Sequence, residues 1–139
     1  MEKNEFDKLK KVVEDNYKWP LILENVTADY FPNGVVIPAT INSSELGVIP
    51  SENGEKIPMW LRTLLIVSKK PERPLLIIDK LDEISSDAQE EFYGMLKMKA
   101  LNGFDLPGNT QFLITVSDVK KVSQKIKGLS IIYKAESKW

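Results

Sequence analysis

The sequence predicts an α/β domain built on a parallel or mostly parallel sheet with helices on both faces. Largely apolar runs of strand length, at residues 19–23, 35–37, 75–78, 111–116 and 129–133, alternate with segments whose apolar residues recur at helical spacing. Leu75-Leu76-Ile77-Ile78 is apolar at every residue, as a central parallel strand covered on both faces requires. A length of 139 residues with 42% apolar content suits a single domain over residues 1–139, large enough to bury roughly two-thirds of its unfolded surface.

In chain order, Phe6, Leu9, Val12 and Val13 recur among Lys and Glu, so the first segment reads as an amphipathic helix ending near Asn16. Residues 19–23 follow as the first core strand, with Pro20 among its first residues, where a strand tolerates proline. Phe31-Pro32-Asn33-Gly34 is turn chemistry, because proline presets φ and Asn-Gly accepts positive φ; residues 35–37 resume as strand. Residues 38–57 are rich in Ser, Asn, Gly and Pro without a sustained period and predict an irregular loop. Pro58 suits the first turn of a helix through Trp60, Leu61, Leu64 and Leu65, whose stripe packs on the sheet.

After the strand at 75–78, Ser86-Asp87-Ala88-Gln89 reads as a capping box opening a helix with Ala88, Phe92, Met95 and Leu96 on its buried face. Asn102-Gly103 and Pro107-Gly108 punctuate the path to the strand at 111–116. Asp118 is placed to cap a last short helix, Lys127 to complement its C-terminus and Gly128 to stop it, before a final strand at 129–133.

With no Cys and no His, disulfides, thiol nucleophiles, imidazole bases and ordinary zinc sites are excluded. Nineteen basic against twenty acidic residues give a net charge of -1, so no global field draws the chain to nucleic acid or anionic lipid; a local patch stays open. Residues 1–16 lack the apolar core of a signal peptide and no apolar run has the length of a membrane span, which makes the cytoplasm the expected location.

Ligands of open α/β sheets bind at the carboxyl ends of strands, here Asp79-Lys80 and Ser117-Asp118. An apolar strand, an Asp and a capped helix is the pattern by which P-loop enzymes hold magnesium; the plainer reading makes Asp79 a turn residue where a buried strand surfaces. Asp82, Glu83 and Asp87 beside it raise a two-carboxylate hydrolase or a metal site, against a solvated loop pair and a first-turn helix acid. Trp60 and Trp139 are either partner anchors or, respectively, a core residue and a frayed end.

The longer context around Asp79, Leu75-Leu76-Ile77-Ile78-Asp79-Lys80-Leu81-Asp82-Glu83-Ile84-Ser85-Ser86-Asp87-Ala88-Gln89, resembles the Walker B strand and following helix of AAA+ ATPases, particularly the MoxR-like and dynein-related branch. Glu45-Leu46-Gly47-Val48-Ile49-Pro50, Gly54 and Pro58-Met59-Trp60-Leu61 resemble that branch's segment before Walker B. Leu106-Pro107-Gly108-Asn109-Thr110-Gln111-Phe112-Leu113-Ile114-Thr115 resembles its approach to the sensor 1 strand, so the likeness spans residues 19–133. It implies a three-layer α/β/α, P-loop NTPase-like fold, truncated, since the chain stops at Trp139 without room for the helical lid.

The resemblance also implies what is missing. Where the family has a Gly-rich loop ending in Lys-Ser or Lys-Thr, this chain has Val26-Thr27-Ala28-Asp29-Tyr30-Phe31-Pro32-Asn33-Gly34, leaving no amides and lysine to cradle phosphates. Asp79 matches the magnesium-associated aspartate, but Lys80 replaces the water-activating glutamate; it is expected either to pair with Asp79 or to be a solvated loop lysine. Ser117 falls at sensor 1, with a helix cap as its other role, and Lys127 falls near the arginine finger. Asp79 and Ser117 are thus vestigial cofactor positions, Asp79 the one vestigial metal position, and no catalytic residue is assigned. The expected function is an inactive AAA+-like scaffold, adaptor or regulator with no cofactor, whose partner is a protein, a second copy or an active AAA+ relative, with no nucleic acid and no membrane. The alternative is an ATP binder or weak ATPase taking Mg-ATP at Asp79 through an unconventional phosphate site.

Overall fold

A computed structural model describes residues 2–47, 49–51, 54–101 and 103–136. Helix α1 (Lys3–Asp15) leads into β1 (Leu21–Glu24), a tight helical turn and β2 (Val35–Pro38). The one-turn helix α2 (Ser43–Leu46) and the hairpin β3 (Ile49–Ser51) and β4 (Gly54–Lys56) precede α3 (Met59–Val67) and β5 (Leu75–Asp79). Then come α4 (Glu90–Met98), the small hairpin β6 (Ala100–Leu101) and β7 (Phe104–Asp105), β8 (Gln111–Val116), α5 (Gln124–Leu129) and β9 (Ile131–Lys134).

Five strands form one parallel sheet in the order β2-β5-β8-β1-β9. Side chains alternate across it, as the period of two demands. Ile22, Leu76, Ile78, Phe112 and Ile114 face Trp60, Leu61 and Leu64 of α3, Phe92, Met95 and Leu96 of α4, and Ile126 of α5. Leu21, Leu23, Ile77 and Leu113 face Leu9 and Val13 of α1 together with Val26 and Phe31. These are the three layers of an α/β/α, P-loop NTPase-like fold, with three main helices on one face and one on the other. Gln111, itself buried, anchors α1 by donating from Nε2 to the Val13 carbonyl at 2.7 Å.

Several elements depart from the sequence-based expectation. Residues 38–57 are not one irregular loop: α2 forms because Leu46 is buried, with its carbonyl accepting the Trp60 indole N–H at 3.0 Å, and β3 pairs with β4. Trp60 is accordingly a core residue; Trp139 lies outside the described residues. The middle strand is β8, all six of whose residues are buried, while β5 lies between β2 and β8 and does not touch β1. The proposed capping box is absent. Helix α4 starts at Glu90, Ala88 is exposed and Gln89 fully buried, so Asp87 lies in a turn ahead of the helix. Helix α5 runs through Gly128 to Leu129 and is capped by Ser123, whose Oγ accepts from the Ile126 amide at 3.3 Å; Asp118 caps the tight turn before it. No helix among the described residues is long and apolar enough to cross a membrane.

Candidate functional site

Strand β1 leaves toward β2 at one edge of the sheet, whereas its neighbour β8 leaves through α5 toward β9 at the other. The crevice between their carboxyl ends is therefore the topological switch point, where ligands of open α/β sheets bind. Here it holds about 410 Å³, with Glu24, Asn25, Ser117, Asp118, Lys120 and Lys134 on its walls. Glu24 occupies it. Only 6% exposed, its carboxylate accepts the Val119 amide at 2.7 Å through Oε2 and meets the Lys134 ammonium at 3.3 Å through Oε1. Asn25 adopts a left-handed backbone, φ 65°, which Asn tolerates better than most residues, and its N–H donates to the Val116 carbonyl at 3.0 Å. The chain leaving β1 is thereby tied to β8 instead of rising as a loop around a ligand.

Asp79 ends β5, half-buried. Its Oδ1 accepts the Thr115 hydroxyl at 2.6 Å, and the same Thr115 oxygen accepts the Lys80 N–H at 2.9 Å. That second bond holds Lys80 in a left-handed conformation, φ 60°. Lys80 makes no ion pair with Asp79; its side chain is exposed, so of the two roles expected for it the structure places the solvated loop lysine.

Ser117, just past the end of β8, caps no helix; its N–H and that of Asp118 both donate to Asp82 Oδ2 at 3.0 Å. Asp82 is therefore a half-buried brace between the β5 and β8 loops, not half of a solvated pair, and its other oxygen, Oδ1, is buried without a partner. Lys127 sits in the last turn of α5, which delivers the chain to the amino end of β1 where the Ile131 amide bonds the Pro20 carbonyl, so it stands at the opposite end of the sheet from Asp79 and Ser117. Among the described residues no three acidic side chains converge in a way that could hold a metal ion.

Sequence reasoning missed Glu24 and Thr115 and gave Asp82 and Gln89 other roles. Gln89 links the two loops of the site: Nε2 donates to the Ile84 and Lys121 carbonyls at 3.2 and 2.9 Å, and Oε1 accepts the Ser123 amide at 2.7 Å. The one signal for Glu24 was a charged residue directly closing an apolar strand run. Away from the crevice, burial and then the nearby Glu5 and Glu136 push the Tyr133 phenol above its ordinary value.

These groups do not fit a magnesium-bound triphosphate. The walls carry two carboxylates against two ammonium groups, the amide of Asn25 is committed to Val116, and the most buried charge is negative.

No family model matches the chain, and no curated protein matches it in sequence. Among solved structures, a point mutant of RuvB from Thermotoga maritima aligns with a TM-score of 0.53 at 12% identity, over 99% of this chain and 45% of that one. NtrX from Brucella abortus, in complex with ADP, aligns with a TM-score of 0.56 at 13% identity, over 93% of this chain and 35% of that one. What the chain shares with these structures is the three-layer α/β/α, P-loop NTPase-like fold. At such identities the likeness is one of fold, and the chain spans less than half the length of either structure.

Proposed function

We propose that the chain is a catalytically inactive, MoxR-like AAA+ module that acts in the cytoplasm as a scaffold, adaptor or regulator through contact with a protein. The observation that carries this reading is the Glu24 carboxylate seated at the switch point. Binding a triphosphate there takes converging amides and a lysine, whereas this carboxylate already takes the Val119 amide and the Lys134 ammonium. Lys80, exposed beside Asp79, offers no acceptor for a proton of water. Protein contact is supported by α3, where Met59 and Ile66, seven residues apart on one helix face, are 75% and 64% exposed. Met59 also borders an open groove of about 920 Å³ between α3 and the edge strand β2. The partner is a second copy of the chain or a catalytically competent AAA+ protein.

Light scattering, with the chain alone and mixed with such a protein, is expected to show association, and Mg-ATP is expected to give neither turnover nor a magnesium-dependent heat. The ADP in the NtrX structure favours a second reading, an ATP binder using Asp79. Magnesium-dependent ATP binding that Asp79→Ala abolishes would establish that reading and overturn the first.

A further inference from the structure

The end of the sheet opposite the Asp79 crevice carries another cavity. It opens where Pro20 leads into β1, Thr110 leads into β8 and both α4 and α5 finish, and its volume is about 240 Å³. Leu96, Phe112 and Leu129 give it an apolar floor. Lys18, Lys97 and Lys99 line it, whereas no acidic residue among those described does. None of these three lysines forms an ion pair among the described residues, in a chain whose overall charge is -1.

Part of this has an ordinary cause. Helix α4 ends at Met98, and cations gather at the carboxyl ends of helices, which accounts for Lys97 and Lys99. Two further observations do not follow from a helix end. Thr110 is 2% exposed and lines the cavity, yet its hydroxyl oxygen is buried with no hydrogen-bond partner. Buried polar groups are nearly always paired, by protein, water or ligand. Trp19 lines the same cavity and is 56% exposed, beside Tyr17, whose ring already carries the Arg73 guanidinium at 4.0 Å. Lys18 and Lys97 lie over the Tyr17 and Tyr93 rings, each 5.8 Å from the centroid, but no carboxylate among the described residues balances any of the three lysines. An aromatic face left in water next to ammonium groups without a counter-anion and an unmatched hydroxyl has the composition of a site that stacks a ring and neutralises a phosphate.

The geometry points to a binding site here for a phosphorylated aromatic unit, with Lys18, Lys97 and Lys99 countering the phosphate, Trp19 stacking the ring and the Thr110 hydroxyl hydrogen-bonding the ligand. A nucleoside monophosphate is that unit at a size suited to the cavity, either free or as the end of a single strand. The site is independent of the β1–β8 crevice and of whether that crevice binds anything.

The test titrates the full chain with AMP, with inorganic phosphate and with a short single-stranded oligonucleotide, following tryptophan fluorescence and calorimetric heat. AMP is expected to quench saturably in the micromolar to millimolar range and to bind at least roughly tenfold more tightly than phosphate, which lacks the ring. Combined Lys97→Glu and Lys99→Glu should weaken AMP binding by at least roughly tenfold with an unchanged circular dichroism spectrum, since both side chains are exposed. Trp19→Ala should remove the quench and weaken the heat. Thr110→Val should weaken binding while keeping or raising the melting temperature, a combination that a merely structural hydroxyl does not produce. Asp79→Ala should leave AMP affinity unchanged, which separates this site from the crevice. An oligonucleotide tighter than AMP assigns the nucleic-acid source, and an equal or weaker one assigns the free nucleotide. Failure of both AMP and the oligonucleotide to bind saturably, phosphate binding as tightly as AMP, or AMP affinity within about twofold of the parent in the charge-reversed variant overturns the proposal.

Discussion

Gln89→Leu isolates the side chain that joins the two loops of the crevice. Leucine has nearly the volume of glutamine, so the change leaves little cavity and the cost comes from hydrogen bonding. It strips the acceptor from the Ser123 amide, at 2.7 Å, and the donor from the Lys121 and Ile84 carbonyls, at 2.9 and 3.2 Å, around a residue that is fully buried. A buried group left unpaired costs about 1–3 kcal/mol, and each carbonyl keeps a second lone pair for water, so the sum is about 3–5 kcal/mol. Against a domain stability of roughly 5–15 kcal/mol this is a large share, equivalent to a melting temperature lowered by about 10 °C or more. Urea unfolding followed by circular dichroism measures it as a lower midpoint at unchanged slope. Gln89→Glu serves as a control: it keeps the acceptor for Ser123 but turns a buried carboxylate toward two carbonyls, so its acid form is favoured in the fold. A folded-state pKa raised in this way means that its stability recovers as pH falls and is lost as pH rises. A Gln89→Leu variant within about 1 kcal/mol of the parent would refute the reasoning, because no buried group would then depend on this side chain.

Thr115→Val keeps the shape of the side chain but removes the link between Asp79 Oδ1 and the Lys80 amide; it should cost about 1–2 kcal/mol and speed hydrogen exchange at Lys80, and unchanged exchange would count against the link. Gly34→Ala places a methyl group into Ile77 Cδ1 and 3.2 Å from the Phe31 carbonyl oxygen, so the fully buried Ile77 side chain has to shift against its packed neighbours. A loss of about 1–3 kcal/mol is expected in thermal unfolding, and a neutral result would mean that the sheet gives way there. Glu24→Ala leaves the Val119 amide without its acceptor and should cost about 1–3 kcal/mol in the same measurement; the Lys134 partner, largely exposed, adds at most about 1 kcal/mol. A stability unchanged in Glu24→Ala would show that water replaces the carboxylate at once.

The five strands of the main sheet and the helices α1 and α3 were legible because their signals are local: a period of two or 3.6, or an unbroken apolar run such as Leu75 to Ile78. What was illegible depends on partners far along the chain. Residues 38–57 lack a period, and α2 is held by the indole of Trp60, fourteen residues beyond Leu46. Ser86 to Gln89 has the spacing of a capping box, but Gln89 serves Lys121 and Ser123, 32 and 34 residues away, and the turn that buries it exposes Ala88 and delays α4 to Glu90. The tertiary demand outweighs the local motif. Asp79 was legible as the residue on which an apolar strand surfaces; the roles of Thr115 and Asp82 were not, since each acts across strands some 35 residues apart.

The β1–β2 connection explains why a P-loop NTPase-like fold here does without a phosphate loop. One face of the sheet is covered by the single helix α1, and residues 25–34 complete that cover by burying Val26 and Phe31 against Leu21, Leu23 and Ile77, with Tyr30 reaching the Phe6 ring at 6.0 Å between centroids. Burying two such side chains contributes about 3–6 kcal/mol. A glycine-rich loop has no side chains with which to cover that face, and its amides would have to point at a ligand instead of bonding β8 as Asn25 does. In this chain the segment is committed to the core. Glu24, at the end of that strand, then takes the Val119 amide, and the same choice of residues that stabilises the fold sets a carboxylate in the crevice between β1 and β8.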